Sequence, residues 1–185
     1  MYIVETITTT MSPAGEVNIA PLGPYFSEDE IIFRLFPGST SHANLRATGE
    51  AVVHITDNVE LIAHAALERV SWPTEPAPTV RGAVLPDACR FYEVRVHTVD
   101  DSGERHVFTC DVVGRGWQRD FLGFNRAKHA VLEAAILATR LHLTGKEPVL
   151  AEYEKLAVTV SKTGEAQEAR AMAFLKEYVR RWEPR

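Results

Sequence analysis

Two apolar runs, Ile31-Ile32-Phe33-Arg34 and Ala51-Val52-Val53-His54-Ile55, enclose the stretch Leu35-Phe36-Pro37-Gly38-Ser39-Thr40-Ser41-His42-Ala43-Asn44-Leu45-Arg46-Ala47-Thr48-Gly49-Glu50. This arrangement predicts strand, tight turn, short helix, strand. Pro37-Gly38 is a turn signal. Ser39, Thr40 and Ser41 are candidate N-caps. Gly49 stands where a helix ends in the left-handed conformation. The junction gathers free backbone N–H groups, three hydroxyls and the positive end of a helix, with Arg34 just upstream. Such a place can hold a phosphate. The alternative is a plain capped helix between two strands, and caps far outnumber anion sites.

The flanking sequence sets this junction in a β-rich chain. Residues 2–10 are dense in β-branched types and favour a strand. Pro13-Ala14-Gly15 turns the chain into a second strand over 17–22, and Gly23-Pro24 breaks it. Residues 25–29 read as a connector and 30–36 as the third strand. Residues 58–69 read as a helix capped by Asp57 or Asn58. Three prolines at 73, 76 and 78 then predict a long loop without regular structure. Residues 90–100 alternate well, Asp101-Ser102-Gly103 is a hairpin turn, and the returning strand over 104–113 is expected to stop at Gly114 and Gly116. Six or seven strands with Gly- and Pro-rich turns predict an α+β fold that is mainly β: an antiparallel barrel with added helices.

The C-terminal third changes period. Residues 125–143 carry the strongest helical pattern, with Asn125 as cap and Ala127, Ala130, Val131, Ala134, Ala135, Ala138 and Leu141 on one stripe. Residues 147–160 are ambiguous, with a short helix as the favoured reading. A last helix is expected over 165–182 with Ala169, Met172, Ala173, Leu175 and Val179 as its apolar side. The reading is one domain over 1–185, a barrel over 1–120 with a helical extension over 121–185 packed on it.

Composition narrows the function. With 185 residues and 45% hydrophobic content, one compact domain can bury a sizeable core. A formal net charge of −5 gives no general pull toward nucleic acid or anionic membranes. No apolar stretch approaches the roughly 20 residues of a membrane span, and no signal peptide is evident. Cys89 and Cys110 have no metal-ligand spacing and read as buried free thiols of a cytoplasmic protein. The seven histidines form no H-E-x-x-H pattern, so no metal is expected. His97 and His106 flank one hairpin turn; a cross-strand pair is one reading, and a solvated hairpin face is the favoured one over a metal site. There is no G-x-S-x-G, no Walker sequence and no G-x-G-x-x-G.

Thr40-Ser41-His42-Ala43-Asn44-Leu45-Arg46-Ala47-Thr48-Gly49-Glu50-Ala51-Val52-Val53 resembles the S/T-x-x-N-L-x-x-T-G-x-x-V-V segment of the FMN-binding split-barrel flavoproteins. Gly123-Phe124-Asn125-Arg126-Ala127, with Glu133-Ala134-Ala135-Ile136 and Ala138-Thr139-Arg140-Leu141-His142, resembles one small, functionally uncharacterised branch with C-terminal helices. Ile3 to Thr9 and Asn18-Ile19-Ala20-Pro21-Leu22-Gly23 fit the same branch.

The resemblance implies an FMN-binding split barrel, with FMN phosphate and ribityl chain at the junction. By carry-over, Arg34, Gly38, Ser39 and Thr40 would hold the phosphate. Asn44 would support the turn or the ribityl chain. Asn18, Ala20, Pro21, Leu22 and Gly23 would line the isoalloxazine. The resemblance also implies a homodimer with flavin at its interface, completed by Asn125 and Arg126, for which a cap and a surface salt bridge are the alternative. Related sequences carry Asn where His54 stands. The implied activity is flavin-reductase-like redox chemistry with a small-molecule donor or acceptor, its catalytic residues unknown. A cofactor-free dimeric binding or scaffold protein on the same barrel is the competing reading.

Overall fold

The computed structural model describes residues 1–27 and 29–184. The chain forms two compact units, one of Met1–Thr56 with Ser71–Phe121, the other of Asp57–Val70 with Leu122–Arg185. The helix expected near residue 60 thus belongs with the C-terminal helices rather than with the sheet.

The first unit contains β1 (Tyr2–Ile3), β2 (Thr6–Met11), β3 (Val17–Leu22), β4 (Tyr25–Phe26), β5 (Glu30–Leu35), α1 (Thr40–Thr48), β6 (Glu50–Ile55), β7 (Glu75–Pro76), β8 (Ala83–Val84), β9 (Arg90–Asp100) and β10 (His106–Trp117). Eight of these strands make one antiparallel sheet in the order β1-β4-β5-β10-β9-β6-β2-β3, and β7 and β8 form a separate ribbon. Ile31, Phe33 and Leu35 of β5, Ala51 and Val53 of β6, Val94 of β9, Phe108 and Cys110 of β10 and Leu45 of α1 form the main core. Leu22 near one end of the sheet and Phe26 near the other pack against this same cluster. The sheet is therefore curled into a half-barrel around one apolar filling, as strand twist favours.

Several expectations change in detail. The connector at 25–29 contains β4, which pairs Tyr25 with Ile32 and Phe26 with Ile31. The proline loop is partly regular, because Glu75 and Pro76 pair with Val84 and Ala83 at a two-residue edge where a missing N–H is tolerated. Gly114 and Gly116 do not end their strand; β10 runs through both to Trp117. A Cβ on Gly114 would stand 2.3 Å from Glu93 Oε2, and one on Gly116 would stand 2.0 Å from the Phe91 ring. These glycines make room for cross-strand side chains rather than for a turn.

The second unit holds α2 (Val59–Leu67), α3 (Arg126–Thr139), α4 (Leu141–Thr144), α5 (Lys146–Thr163) and α6 (Ala166–Arg181). The Ala stripe of α3 is buried, as its period predicts. The expected helix over 125–143 is broken at Arg140, whose φ of −107° and ψ of 12° separate α3 from α4. The ambiguous segment is α5, the longest helix here at 18 residues. On α6 the buried stripe is Ala171, Met172, Leu175 and Val179; Ala169 and Ala173 face solvent. Lys128 reaches Glu168 at 2.9 Å, and Glu168 also accepts the N–H of Glu165 in a capping box. No helix of the described residues is long and apolar enough to cross a membrane.

Candidate functional site

The β5–α1 junction is built by its own sequence. Gly38 takes a φ of +90°, a left-handed value open to glycine, and reverses the chain after β5. Ser39 is the N-cap: its Oγ accepts the N–H of His42 at 3.3 Å and donates to the carbonyl of Phe36 at 3.0 Å. Gly49 closes the helix with φ 70° and ψ 9° and donates its N–H to the carbonyl of Leu45. The first N–H groups of α1, at Thr40 and Ser41, have no intrahelical acceptor. Thr40 is exposed, and its hydroxyl has no partner among the described residues. Arg34 lies on β5 opposite Val107, off the parity of the buried Ile31, Phe33 and Leu35. Its exposed guanidinium forms no hydrogen bond or ion pair within the described residues. Gly38, Ser39 and Thr40 therefore meet at one helix end, with Arg34 on the strand that leads into it. That donor set suits a phosphate: one free guanidinium, free backbone N–H groups and a positive helix terminus.

Two further candidates are already engaged. Asn44 is buried and donates Nδ2–H to Thr10 Oγ1 at 3.1 Å. Asn18 on β3 donates Nδ2–H to the buried Ser41 Oγ at 3.1 Å. Both tie α1 to the β2–β3 hairpin. β3 is an edge of the sheet, so the outer row of backbone groups from Asn18 to Leu22 is unpaired with any strand, apart from the N–H that Pro21 lacks. Ala20, Pro21 and Leu22 are half-buried and Gly23 is exposed, a small-residue ledge along that edge.

The face of β6 turned away from the main core carries the 71–89 loop. Val52 of β6 packs with Val80 and Val84, whereas its neighbours Ala51 and Val53 belong to the main core beneath α1. The loop from Trp72 to Pro78 thus belongs to the face of β6 turned away from α1. Under it lies His54, fully buried. Its ring bonds the Ile7 carbonyl through Nδ1 at 3.0 Å and the Leu85 N–H through Nε2 at 3.1 Å. A carbonyl can only accept and an N–H can only donate, so the ring is neutral with its proton on Nδ1. Burial pushes its pKa down to about 4. Glu93 is equally buried and accepts the N–H groups of Thr79 and Val80 on Oε1. His54 and Glu93 hold the loop in place.

Asn125 caps α3: its Oδ1 accepts the N–H of Lys128 at 3.1 Å and its Nδ2 donates to the Thr163 carbonyl at 3.0 Å. Arg126 is exposed. The suggested His97–His106 pair does not form. His106 bonds His42 of α1, Nδ1 to Nε2, at 2.9 Å, with the His42 ring edge-on to Phe108. His97 lies 3.6 Å from Asp111 instead. Burial, then the charges of His106 and Arg46, lower the pKa of His42. No sequence signal joins His42 to His106; the pair exists because α1 lands on the end of β10. Cys89 and Cys110 are free and buried, and burial pushes the Cys110 thiol up to about 12.

Known proteins share this architecture. An FMN-bound protein from Methanosarcina mazei superposes with a TM-score of 0.82 at 23% identity, over 96% of this chain and 95% of that one. Flavoredoxin from Methanosarcina acetivorans gives a TM-score of 0.57 at 12% identity, over 66% and 72% of the two chains. The flavin reductase HpaC, solved with NADP+, gives 0.57 at 20% identity, over 66% and 82%. At these identities the likeness establishes the fold alone, a curled, mostly antiparallel sheet with added helices. No curated protein matches the sequence. Residues 4–119 match the N-terminal domain model of the protein of unknown function DUF447, and residues 125–177 match the second DUF447 model; the chain belongs to that family.

Proposed function

We propose that this chain binds FMN at the β5–α1 junction and acts as a flavin-dependent oxidoreductase or electron carrier. The observation that carries this reading is the free Arg34 guanidinium on the strand that leads into α1, a helix whose first N–H groups lack partners. It stands in a fold whose solved neighbours include an FMN-bound member of the same family. Arg34, Gly38 and Thr40 hold the phosphate, and Ser39 contributes through the helix start it caps. The outer edge of β3, from Asn18 through Ala20, Pro21 and Leu22 to Gly23, meets the ring system with backbone groups and small side chains. Asn44 acts at one remove, fixing α1 against β2. When bound, FMN supplies the redox chemistry, and the chain supplies position and electrostatics. Two copies pair, and Asn125 and Arg126 of the second complete the site. Leu122 and Phe124, each 90% exposed, are apolar surface that supports such pairing.

Visible absorption of the purified protein with and without added FMN tests the cofactor, and light scattering tests the dimer. Arg34→Ala with Thr40→Ala removes two phosphate contacts; at roughly 1.5 kcal/mol for each charge-assisted bond, retention should weaken about 150-fold. Unchanged affinity in a folded variant overturns the site. A cofactor-free scaffold is the second reading, favoured by one observation: the side chains of Asn18, Ser39 and Asn44 are each already engaged in a hydrogen bond within the protein. A colourless protein that leaves added FMN unshifted would establish it.

A further inference from the structure

Helix α6 presents two apolar stripes where the fold requires one. Ala171, Met172, Leu175 and Val179 fill the interior of the helical unit. Phe174, Tyr178 and Trp182, spaced at i, i+4 and i+8, form a second stripe that is only half-buried. It lines an open cavity of about 800 Å³, within the range of small-molecule sites. His142 at α4 and Glu68 just beyond α2 stand on the other walls. A smaller cavity of about 240 Å³ shares Tyr178, Trp182 and His142 with it. His64 stacks on Phe174 with ring centroids 3.7 Å apart at 23°, and bonds Glu68 at 2.7 Å. Phe174 is thereby held as a fixed platform, its ring 6.4 Å from that of Tyr178.

The charges of this cavity have a sign. Its carboxylates are Glu68, Glu177 and Glu183, and its one guanidinium, Arg181, is bound to Glu177 at 2.6 Å. Glu183 has no ion-pair partner among the described residues. Two carboxylates thus remain unmatched by any cavity arginine or lysine. Aromatic faces are negative at their centres and attract cations, and carboxylates at the same mouth add to that field. We infer that the α2–α4–α6 cavity is a second ligand site, for a flat aromatic cation stacked on Phe174, Tyr178 and Trp182. The inference does not depend on the flavin reading, since every residue it uses lies in the helical unit.

The test uses the full chain saturated with FMN, so that no planar probe enters a vacant flavin site. N-methylacridinium is titrated by fluorescence anisotropy against anthracene-9-carboxylate, a three-ring molecule of similar shape and opposite charge. The cation should bind about tenfold or more tightly than the anion. Trp182→Leu should weaken it about tenfold, Trp182→Phe should restore most of the affinity, and Glu68→Gln with Glu183→Gln should remove most of the charge preference. Equal binding of the two probes, no binding of the cation, or a Trp182→Leu affinity like that of the parent would overturn the proposal. Should Trp182→Leu fail to fold, the carboxylate pair decides: an unchanged charge preference in that variant rules the site out.

Discussion

Two regions outside the main core of the half-barrel treat polar groups in opposite ways. Beneath the 71–89 loop, the polar atoms that matter are buried and matched. Both ring nitrogens of His54 have backbone partners, Glu93 takes two N–H groups, and Thr9 donates to the Ala83 carbonyl. At the β5–α1 junction, Arg34 and the Thr40 hydroxyl are exposed and unmatched within the described residues. A buried polar group must find its partner in the chain, because desolvating it unpaired costs more than the bond returns. An exposed one can wait for a ligand. The first region therefore spends its polarity on architecture, and the second keeps its polarity available.

This contrast can be broken most directly at Glu93. Glu93→Ala strands the N–H groups of Thr79 and Val80 and should cost about 4 kcal/mol of unfolding free energy, with Glu93→Gln costing less. Urea denaturation checks this, and a loss under 1 kcal/mol would mean that the loop is not anchored there. His54 gives the next effect. Its folded pKa of about 4 lies below the ordinary 6.5, so the unfolded chain binds the extra proton first. Stability should be fully present above pH 6.5 and fall as pH drops from 6.5 through about 4, by up to about 3 kcal/mol. His54→Gln should lack that window in unfolding titrations taken across it. Asn44→Ala, which frees α1 from Thr10, should cost about 1 kcal/mol. Thr40→Ala should shift unfolding by no more than about 0.5 kcal/mol while weakening FMN retention. A large destabilisation by Thr40→Ala would erase the distinction between the two regions.

The junction was legible residue by residue because its determinants are local. Pro37-Gly38, the Ser39 cap and the left-handed Gly49 each act within a few residues. The Ala stripe of α3 was legible for the same reason of period. Gly114 and Gly116 misled, since a strand glycine read alone signals a stop, and the cross-strand Glu93 and Phe91 that require it are distant in sequence. His97 is exposed, as a solvated hairpin face implies, whereas the ring of His106 meets His42 of α1, a partner distant in sequence.

The sequence by itself determined the alternating strands, the capped helices, the turn chemistry and an anion-friendly junction, because period, caps and turns are short-range consequences of residue type. Only the tertiary structure decided that α2 joins the C-terminal helices, that Asn18 and Asn44 serve the fold, that His54 is a neutral buried strut, and that α6 carries a second aromatic face. Each of these depends on which distant side chain fills the space opposite, a quantity fixed by packing rather than by any stretch of chain.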